Sequence, residues 1–477
     1  MLPMPLRPRP SFHFARSSKD GAARRATVAH LCALAGWGLV GAVMIGGTLA
    51  VTASGAEAQA WLGDRQRTEG PGFRLGDFEL HPGLGAEVGY DSNLYMTSDA
   101  GPQPRVETGV LRVTPHLVFS TIGEERRESG ENPDSTESSA PTVTLRGGLS
   151  ASYNEFFAVP NRRNVAIDAS LRLNVLPERP FSFSLYDNFS RAIRPFTEDG
   201  VDSTARDSNE AGVDFNFQTT GGIFQVGLGY AFGLQFFEGA SFQYGNLFTH
   251  RIHLTESFSF LPSTAVVQDN QFEYTDYSGA TGDSPTLLAD SARIRTRVGL
   301  NGAITEAISL TGMVGYAAGF FYNTSATYAQ EYDSLVVTVE GRWQINPDVR
   351  LAVGYDRDFY AAFLGNYYSR DRGYLSFQAL VAGAFLLGLE ADVGYLDYGV
   401  VVSPTGAPVG DRASREDIRV SGRLFAEYRF TDWLGLNLAA NYMGNFTDFQ
   451  YLPMGGIPLD PASYNRFEIT GGVRVFY

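Results

Sequence analysis

Phe467-Glu468-Ile469-Thr470-Gly471-Gly472-Val473-Arg474-Val475-Phe476-Tyr477 alternates apolar and polar residues up to a final aromatic side chain. Period-two alternation is the mark of a strand with one apolar and one polar face. Soluble domains more often end in a frayed polar tail. A closed outer-membrane barrel, by contrast, has to finish on a strand that pairs with the first one, because an unpaired edge cannot be satisfied in lipid. Read this way, the segment predicts the closing strand of a membrane barrel.

The beginning of the chain fits export. Arg7, Arg9, Arg16, Lys19, Arg24 and Arg25 form a basic stretch, Leu31 to Val51 is apolar, and Ala58-Gln59-Ala60 has the small-x-small form of a cleavage site. An apolar run of this length could also anchor the chain uncleaved. Its five glycines and small-residue exit favour removal. Residues 1–60 are therefore expected to be a cleaved signal peptide, and residues 61–80 a periplasmic lead-in to a barrel over 81–477. The residues before Cys32 lack the small side chain expected ahead of a lipidated cysteine.

Without the leader, the chain keeps 31 basic and 50 acidic residues, a net charge of −19, and no cysteine, since Cys32 is the only one. Lys19 is also the only lysine, so every later basic residue is an arginine. Lysine-based covalent chemistry and disulfides are thereby excluded, and the acidic balance argues against a nucleic-acid partner. No apolar stretch after residue 60 reaches the length of a transmembrane helix, so membrane insertion has to be by strands.

The dyad pattern recurs along the chain. Leu84, Ala86, Val88 and Tyr90 oppose Glu87 and Asp91. Val165, Ile167, Ala169, Leu171, Leu173 and Val175 alternate with Asp168, Ser170, Arg172 and Asn174, and Val213, Phe215 and Phe217 alternate with Asp214, Asn216 and Gln218. Val337 to Ile345 alternates with Thr338, Glu340, Arg342 and Gln344, and Ile418 to Phe430 with Arg419, Ser421, Arg423, Glu427 and Arg429. Such runs are long for globular strands but suit tilted membrane strands of about ten residues. In these five strands no charge falls on the apolar face, where one near the midplane would cost about 2–4 kcal/mol. Asp187, following Phe181, Phe183 and Leu185 on an outward face, is tolerable only near the outer rim.

Connections alternate in kind. Tight turns are predicted at 176–180, 219–222, 261–264, 305–308, 346–349, 381–384 and 431–433, and longer polar loops at 96–108, 194–208, 278–290, 399–415 and 447–463. Short periplasmic turns with longer external loops are the asymmetry of outer-membrane barrels. The acidic, serine-rich connection 121–141 is the exception, since it falls on the periplasmic side; it reads as a disordered tether or a partner-binding segment. Counting hairpins predicts an all-β, antiparallel up-and-down transmembrane barrel of about 18 strands (16 to 18) in the cell outer membrane. Thr264 to Tyr277 alternates poorly and reads partly as loop.

A repeated unit sets the register. Val88-Gly89-Tyr90, Leu228-Gly229-Tyr230, Val314-Gly315-Tyr316, Val353-Gly354-Tyr355 and Val393-Gly394-Tyr395 all fall in outward-running strands, the last three 39 and 40 residues apart. Each tyrosine is expected in an outer aromatic girdle, with its glycine on the crowded inner side.

The expected pore-lining charges are Glu87, Asp91, Asp168, Asp214, Arg293, Arg295, Arg297, Glu340, Arg342, Arg419, Arg423, Glu427, Arg429, Glu468 and Arg474. Two readings share them: a charged wall that orients or screens solutes, and cross-strand arginine–carboxylate pairing that stiffens the lumen. No catalytic arrangement, metal site or cofactor is expected. The remaining histidines are His81, ahead of the first strand, His116 after Pro115, and His250 and His253, whose opposite parity points them to opposite faces. The loop containing Glu198, Asp199, Asp202, Asp207 and Glu210 matches no twelve-residue calcium loop and reads as a solvated acidic surface.

Gly89-Tyr90-Asp91-Ser92-Asn93-Leu94-Tyr95, followed by Ser98-Asp99 and a strand containing Thr114-Pro115, resembles the first hairpin of the outer-membrane β-barrel porin families found beside exopolysaccharide and capsule synthesis genes. That resemblance implies passage or export of a surface polysaccharide. The tetratricopeptide helices that accompany some export barrels do not fit in residues 61–80, so a separate protein would supply the periplasmic part. The other expected partners are outer-membrane lipid and lipopolysaccharide, and the barrel-assembly machinery through the C-terminal strand. A general solute porin, and a plugged structural or adhesive barrel, share the same architecture.

Overall fold

The computed structural model describes residues 72–477 apart from 103, 122–141, 160–163, 178, 194–204, 240–242, 244, 278–287, 323, 363–364, 403–406 and 453–459. Residues 1–60, expected to be a signal peptide, most of the expected lead-in, the acidic connection and residues Glu198, Asp199 and Asp202 lie outside the described residues. In chain order the strands are β1 (Phe73–Leu75), β2 (Phe78–Asp91), β3 (Thr108–Thr121), β4 (Val143–Phe156), β5 (Asn164–Val175), β6 (Phe181–Ala192) and β7 (Arg206–Gln218). There follow β8 (Phe224–Phe237), β9 (Leu247–Leu261), β10 (Thr264–Asp276), β11 (Asp290–Ala303), β12 (Ile308–Tyr322), β13 (Tyr332–Asn346) and β14 (Val349–Ala361). The last are β15 (Tyr367–Val381), β16 (Phe385–Tyr398), β17 (Glu416–Thr431), β18 (Leu434–Phe446), β19 (Gln450–Tyr451), β20 (Asp460–Pro461) and β21 (Tyr464–Phe476).

Strands β2 to β18 and β21 form a closed antiparallel barrel of 18 staves. Each pairs with its neighbours in sequence, and the ring closes where β2 bonds to both β3 and β21, with Leu84 opposite Val475 and Tyr90 opposite Ile469. Closure removes every edge, which is the condition for strands to cross a membrane. The staves run from 12 residues in β5 to 16 in β17, and the tight turns join them at one end.

Alternation sorts the two faces. Leu84, Val88, Leu171, Phe215, Leu228, Val298, Val314, Val353, Val393, Leu424, Leu438 and Val473 are exposed on the outer wall, forming an apolar belt. Tyr90, Tyr230, Tyr316 and Tyr355 are exposed on that wall too, and each hydroxyl reaches a polar group beside the next strand: Glu107, His250, Asp333 and Asp371 respectively. Their glycines face inward. A Cβ on Gly229 would collide with the ring of His253, and one on Gly354 with the ring of Tyr374. Outward Asp187 accepts a hydrogen bond from the Asn209 amide at 3.0 Å.

Four boundaries differ from the sequence reading. Thr264–Asp276 is a complete stave, in register with β9 and β11 along its length. Its alternation fails because Gln268 and Asn270 stand on the outer face while Ala265 and Val267 stand on the inner one. Strand β7 starts at Arg206, so Asp207 and Glu210 belong to a stave rather than a loop; Glu210 faces inward onto Arg251 at 3.0 Å. His81 lies within β2, and β1 pairs with the start of β2 inside the stretch read as lead-in. Proline in a barrel strand costs a ladder hydrogen bond. Accordingly the β3–β4 ladder lapses at Thr114 and Pro115, between the Val113–Tyr153 and His116–Ser150 pairs.

Candidate functional site

The concave inner wall is identified by contacts that skip a strand. Arg172 on β5 reaches Asp214 on β7 at 3.2 Å, Tyr374 on β15 reaches Glu340 on β13 at 2.5 Å, and Arg295 on β11 reaches Asp358 on β14 at 2.6 Å. Side chains converge in this way only on the inside of a curved sheet. The charged residues expected from the sequence to line the pore all share that face, and they fall into three groups.

The first group lies at the seam. Arg112 bridges Glu87 and Glu468, both at 3.2 Å, while Asn437 donates to Glu87. Arg466 pairs with Asp91 at 2.7 Å and with Glu468 at 3.2 Å. Farther round, Glu427 accepts from Arg474 at 2.5 Å and from Arg429 at 3.1 Å. All of these side chains are buried except Arg429, whose side chain is 10% exposed. A buried ion is tolerable only when its remaining donors and acceptors are met, and the alternating order of arginine and carboxylate meets most of them.

The second group spans β5 to β14. Glu273 is held between Arg251 and Arg293, and Arg297 pairs with Asp269. Asp214 receives His253 Nε2 at 3.3 Å as well as Arg172, and Asp168 accepts from Ser190 Oγ at 2.7 Å. His250, on the outer face, is separated from His253 by the strand itself. Among the described residues no group of three or more His, Cys, Asp or Glu side chains is placed to hold a metal.

In the third group Arg342 pairs with Glu340 at 2.7 Å, and Arg372 sits between Asp356 at 3.6 Å and Asp392 at 3.3 Å. Arg419 and Arg423 stand on the same face of β17, Arg423 in register with Glu390. Arg112, Arg251, Arg370, Arg372, Arg466, Asp269, Glu273, Asp356, Asp358 and Asp392 belong to the wall as well, and the sequence reading did not single them out. The parity rule applied to β3, β9, β14, β15, β16 and β21 would have found them, apart from Asp269 and Glu273 on β10, where the alternation fails.

At the loop end the mouth is partly walled by folded loops. Arg415 is buried beneath Tyr398, Phe449 and Tyr451, with its guanidinium carbon 4.4, 5.4 and 5.6 Å from the ring centres, and it pairs with Asp417 at 2.6 Å. Tyr368, Leu396, Val401 and Ala462 complete that cluster. On the other side of the seam strand β21, Leu94, Val110, Phe156, Ala166 and Ile193 pack together. The Asp91-Ser92-Asn93 motif lies at the same level. Asn93 Nδ2 donates to the carbonyls of Thr97 and Asn465, both at 2.9 Å, and Ser92 exchanges hydrogen bonds with the backbone of Phe467. The motif therefore clasps the first hairpin to the last strand.

A closed antiparallel barrel with an apolar outer belt, an aromatic girdle and a charged inner wall is a transmembrane β-barrel of the outer-membrane type. No family model matches the sequence, and no curated protein does. Among solved structures, the chain is similar to the outer membrane protein opdK from Pseudomonas aeruginosa at 8% identity and a TM-score of 0.42, covering 83% of this chain and 99% of that one. It is similar to OccK11 (OpdR) from the same organism at 9% and 0.40, covering 83% and 96%. The siderophore receptor PirA from Pseudomonas aeruginosa matches at 10% and 0.41, covering 83% and 80%. Values this low carry nothing beyond the barrel itself, and function has to be read from this chain's own residues.

Proposed function

We propose that the barrel is a channel for surface polysaccharide. The observation that carries this reading is the pairing on the inner wall: arginines and carboxylates alternate at ion-pair distance from the seam to β15, as in Arg466–Asp91, Arg295–Asp358 and Arg372–Asp392. Such pairs cancel much of each other's field, so the wall exerts little net pull on a small ion. They still present many hydrogen-bond donors and acceptors. A hydrated, hydroxyl-rich chain is the solute that such a surface suits. Tyr186 and Tyr374 add aromatic surface among the charges, each close to an arginine, at 5.6 and 4.9 Å. The likeness of the Gly89–Tyr95 hairpin to polysaccharide-associated porins points the same way.

The test has two arms. Purified barrels in planar bilayers are expected to conduct, with weak ion selectivity and with current blocked by oligosaccharide from the native surface polymer. Deleting the gene is expected to lower surface polysaccharide. Conductance without oligosaccharide block, together with unchanged polysaccharide, would identify a general solute porin; intact barrels without conductance would identify a plugged one.

A further inference from the structure

The outer wall carries a polar island where an apolar surface is required. On the outer face of β9 the order is Ile252, Leu254, Glu256, Phe258, Phe260, so Glu256 has apolar neighbours both above and below it and lies within the belt. Across the strand pair it is in register with Gln268 on β10, and with Val226 on β8. Two residues along β10, Asn270 is in register with Thr296 on β11. Gln268 Nε2 donates to Asn270 Oδ1 at 3.3 Å, and Thr296 Oγ1 donates to the same oxygen at 2.6 Å. The Glu256 carboxylate and the Asn270 amide N–H groups have no hydrogen-bonding partner among the described residues.

Water does not reach hydrocarbon depth, and glutamate is too short to carry its charge past Leu254 or Phe258 to an interface. The island therefore needs a protein surface opposite it. Its own layout specifies that surface. The acceptor, Glu256, stands on β9, and the amide donors stand on β10 at about the same level, with Thr296 of β11 beyond them. Two copies related by an axis along the membrane normal bring β9 of one against β10 and β11 of the other, because that rotation reverses left and right and preserves height. Each carboxylate then meets the partner's amides, and the exposed Phe258, Val266, Phe272 and Ile294 pack around them. Polar side chains joined across protein surfaces in lipid are an established form of membrane association.

We propose that the β9–β11 face is the docking surface for a second copy of this chain, with Glu256 of one copy bonded to Gln268 and Asn270 of the next. This is independent of what the channel carries. The test uses the full chain in its native outer membrane. Differently tagged copies carrying Glu256→Cys and Gln268→Cys, expressed together, are expected to form a disulfide between copies, whereas Leu436→Cys with Val473→Cys on the far wall gives none. In mild detergent the unmodified protein is expected to migrate as an oligomer, and Glu256→Leu/Gln268→Leu/Asn270→Leu as a monomer that still shows heat-modifiable migration. If that variant fails to assemble, the cysteine pair still decides. A cross-link no stronger than the far-wall control, or a monomeric unmodified protein, overturns the proposal.

Discussion

The ring of Tyr374 occupies the space that a Cβ on Gly354 would take, and its hydroxyl donates to Glu340 one strand farther on at 2.5 Å. Gly354 and Tyr374 are directly in register on β14 and β15. A ring is thus laid across a glycine and tied down at its far end. Gly354→Ala forces the ring into the lumen and is expected to cost about 1–3 kcal/mol, the usual range for overpacking. Urea titration of the folded, slow-heating gel species measures it; an unchanged midpoint would show that the ring relocates freely.

At the seam, Arg466→Ala leaves Asp91 buried beside Glu468 without a counter-ion. Removing one partner of a buried pair is expected to cost about 3–5 kcal/mol. Asp91→Leu/Arg466→Leu should cost less than the sum of the two single changes, because neither charge is stranded. Additive losses in a double-mutant cycle would mean that the two residues do not act as a pair.

Phe476 and Tyr477 point to opposite faces. Phe476 is buried with the guanidinium carbon of Arg429 4.4 Å from its ring centre, while Tyr477 stacks on Phe73 at 4.1 Å on the outside. Phe476→Ala is expected to lower stability by about 3–5 kcal/mol as a large-to-small change at a packed site. Tyr477→Ala acts instead on assembly yield, and deleting both residues should impair insertion in cells. Equal stability losses for the two alanine variants would contradict this division.

Arg372 pairs with Asp392 at 3.3 Å and with Asp356 at 3.6 Å, and Arg370 also holds Asp356 at 3.2 Å. Arg372→Ala removes one positive charge, leaves Asp392 without its arginine, and is expected to move the reversal potential toward cation preference in a salt gradient. An unchanged reversal potential would place these groups out of reach of the conducting path.

In the outer loops, Asp411 accepts from Arg412 at 3.0 Å and from the Gln450 backbone at 3.1 Å. The Arg412 hydrogen bond and the Gln450 N–H hold its carboxyl below the ordinary value of 3.8. A carboxylate lowered on folding contributes fully above its unfolded pKa and loses that contribution as pH falls through the folded value. The contact between the 407–415 and 447–452 segments is therefore expected to persist at pH 5 and to loosen below about pH 3.8. Limited proteolysis across that window reports it, and Asp411→Asn should give the loosened digestion pattern already at neutral pH.

The barrel was legible in the sequence wherever lipid imposes its rule, because an apolar face on every second residue is what the membrane demands. The same rule misled where it is broken. Gln268 and Asn270 disguised β10 as loop, and Asp207 and Asn209 on the outer face hid the start of β7. The inner wall was only half legible. Parity shows which residues face inward, but Arg295 finds Asp358 across two intervening staves, and no spacing along the chain announces that. The clasp made by Asp91, Ser92 and Asn93 was visible as a motif without a purpose, since its partners Asn465, Arg466 and Phe467 lie at the other end of the barrel.

That clasp also bears on the register in which the barrel can close. Asp91 and Arg466 are 375 residues apart in the chain, and contacts of that span are slow to find. A one-residue slip of β21 would turn Arg466 toward lipid, since a shift of one flips every side chain to the other face. A slip of two would take the Phe467 backbone away from Ser92. The Gly-Tyr-Asp-Ser-Asn segment thus works as a gauge of alignment: it is satisfied by one register of the final strand, and a misthreaded barrel would be left unlatched and open to disposal.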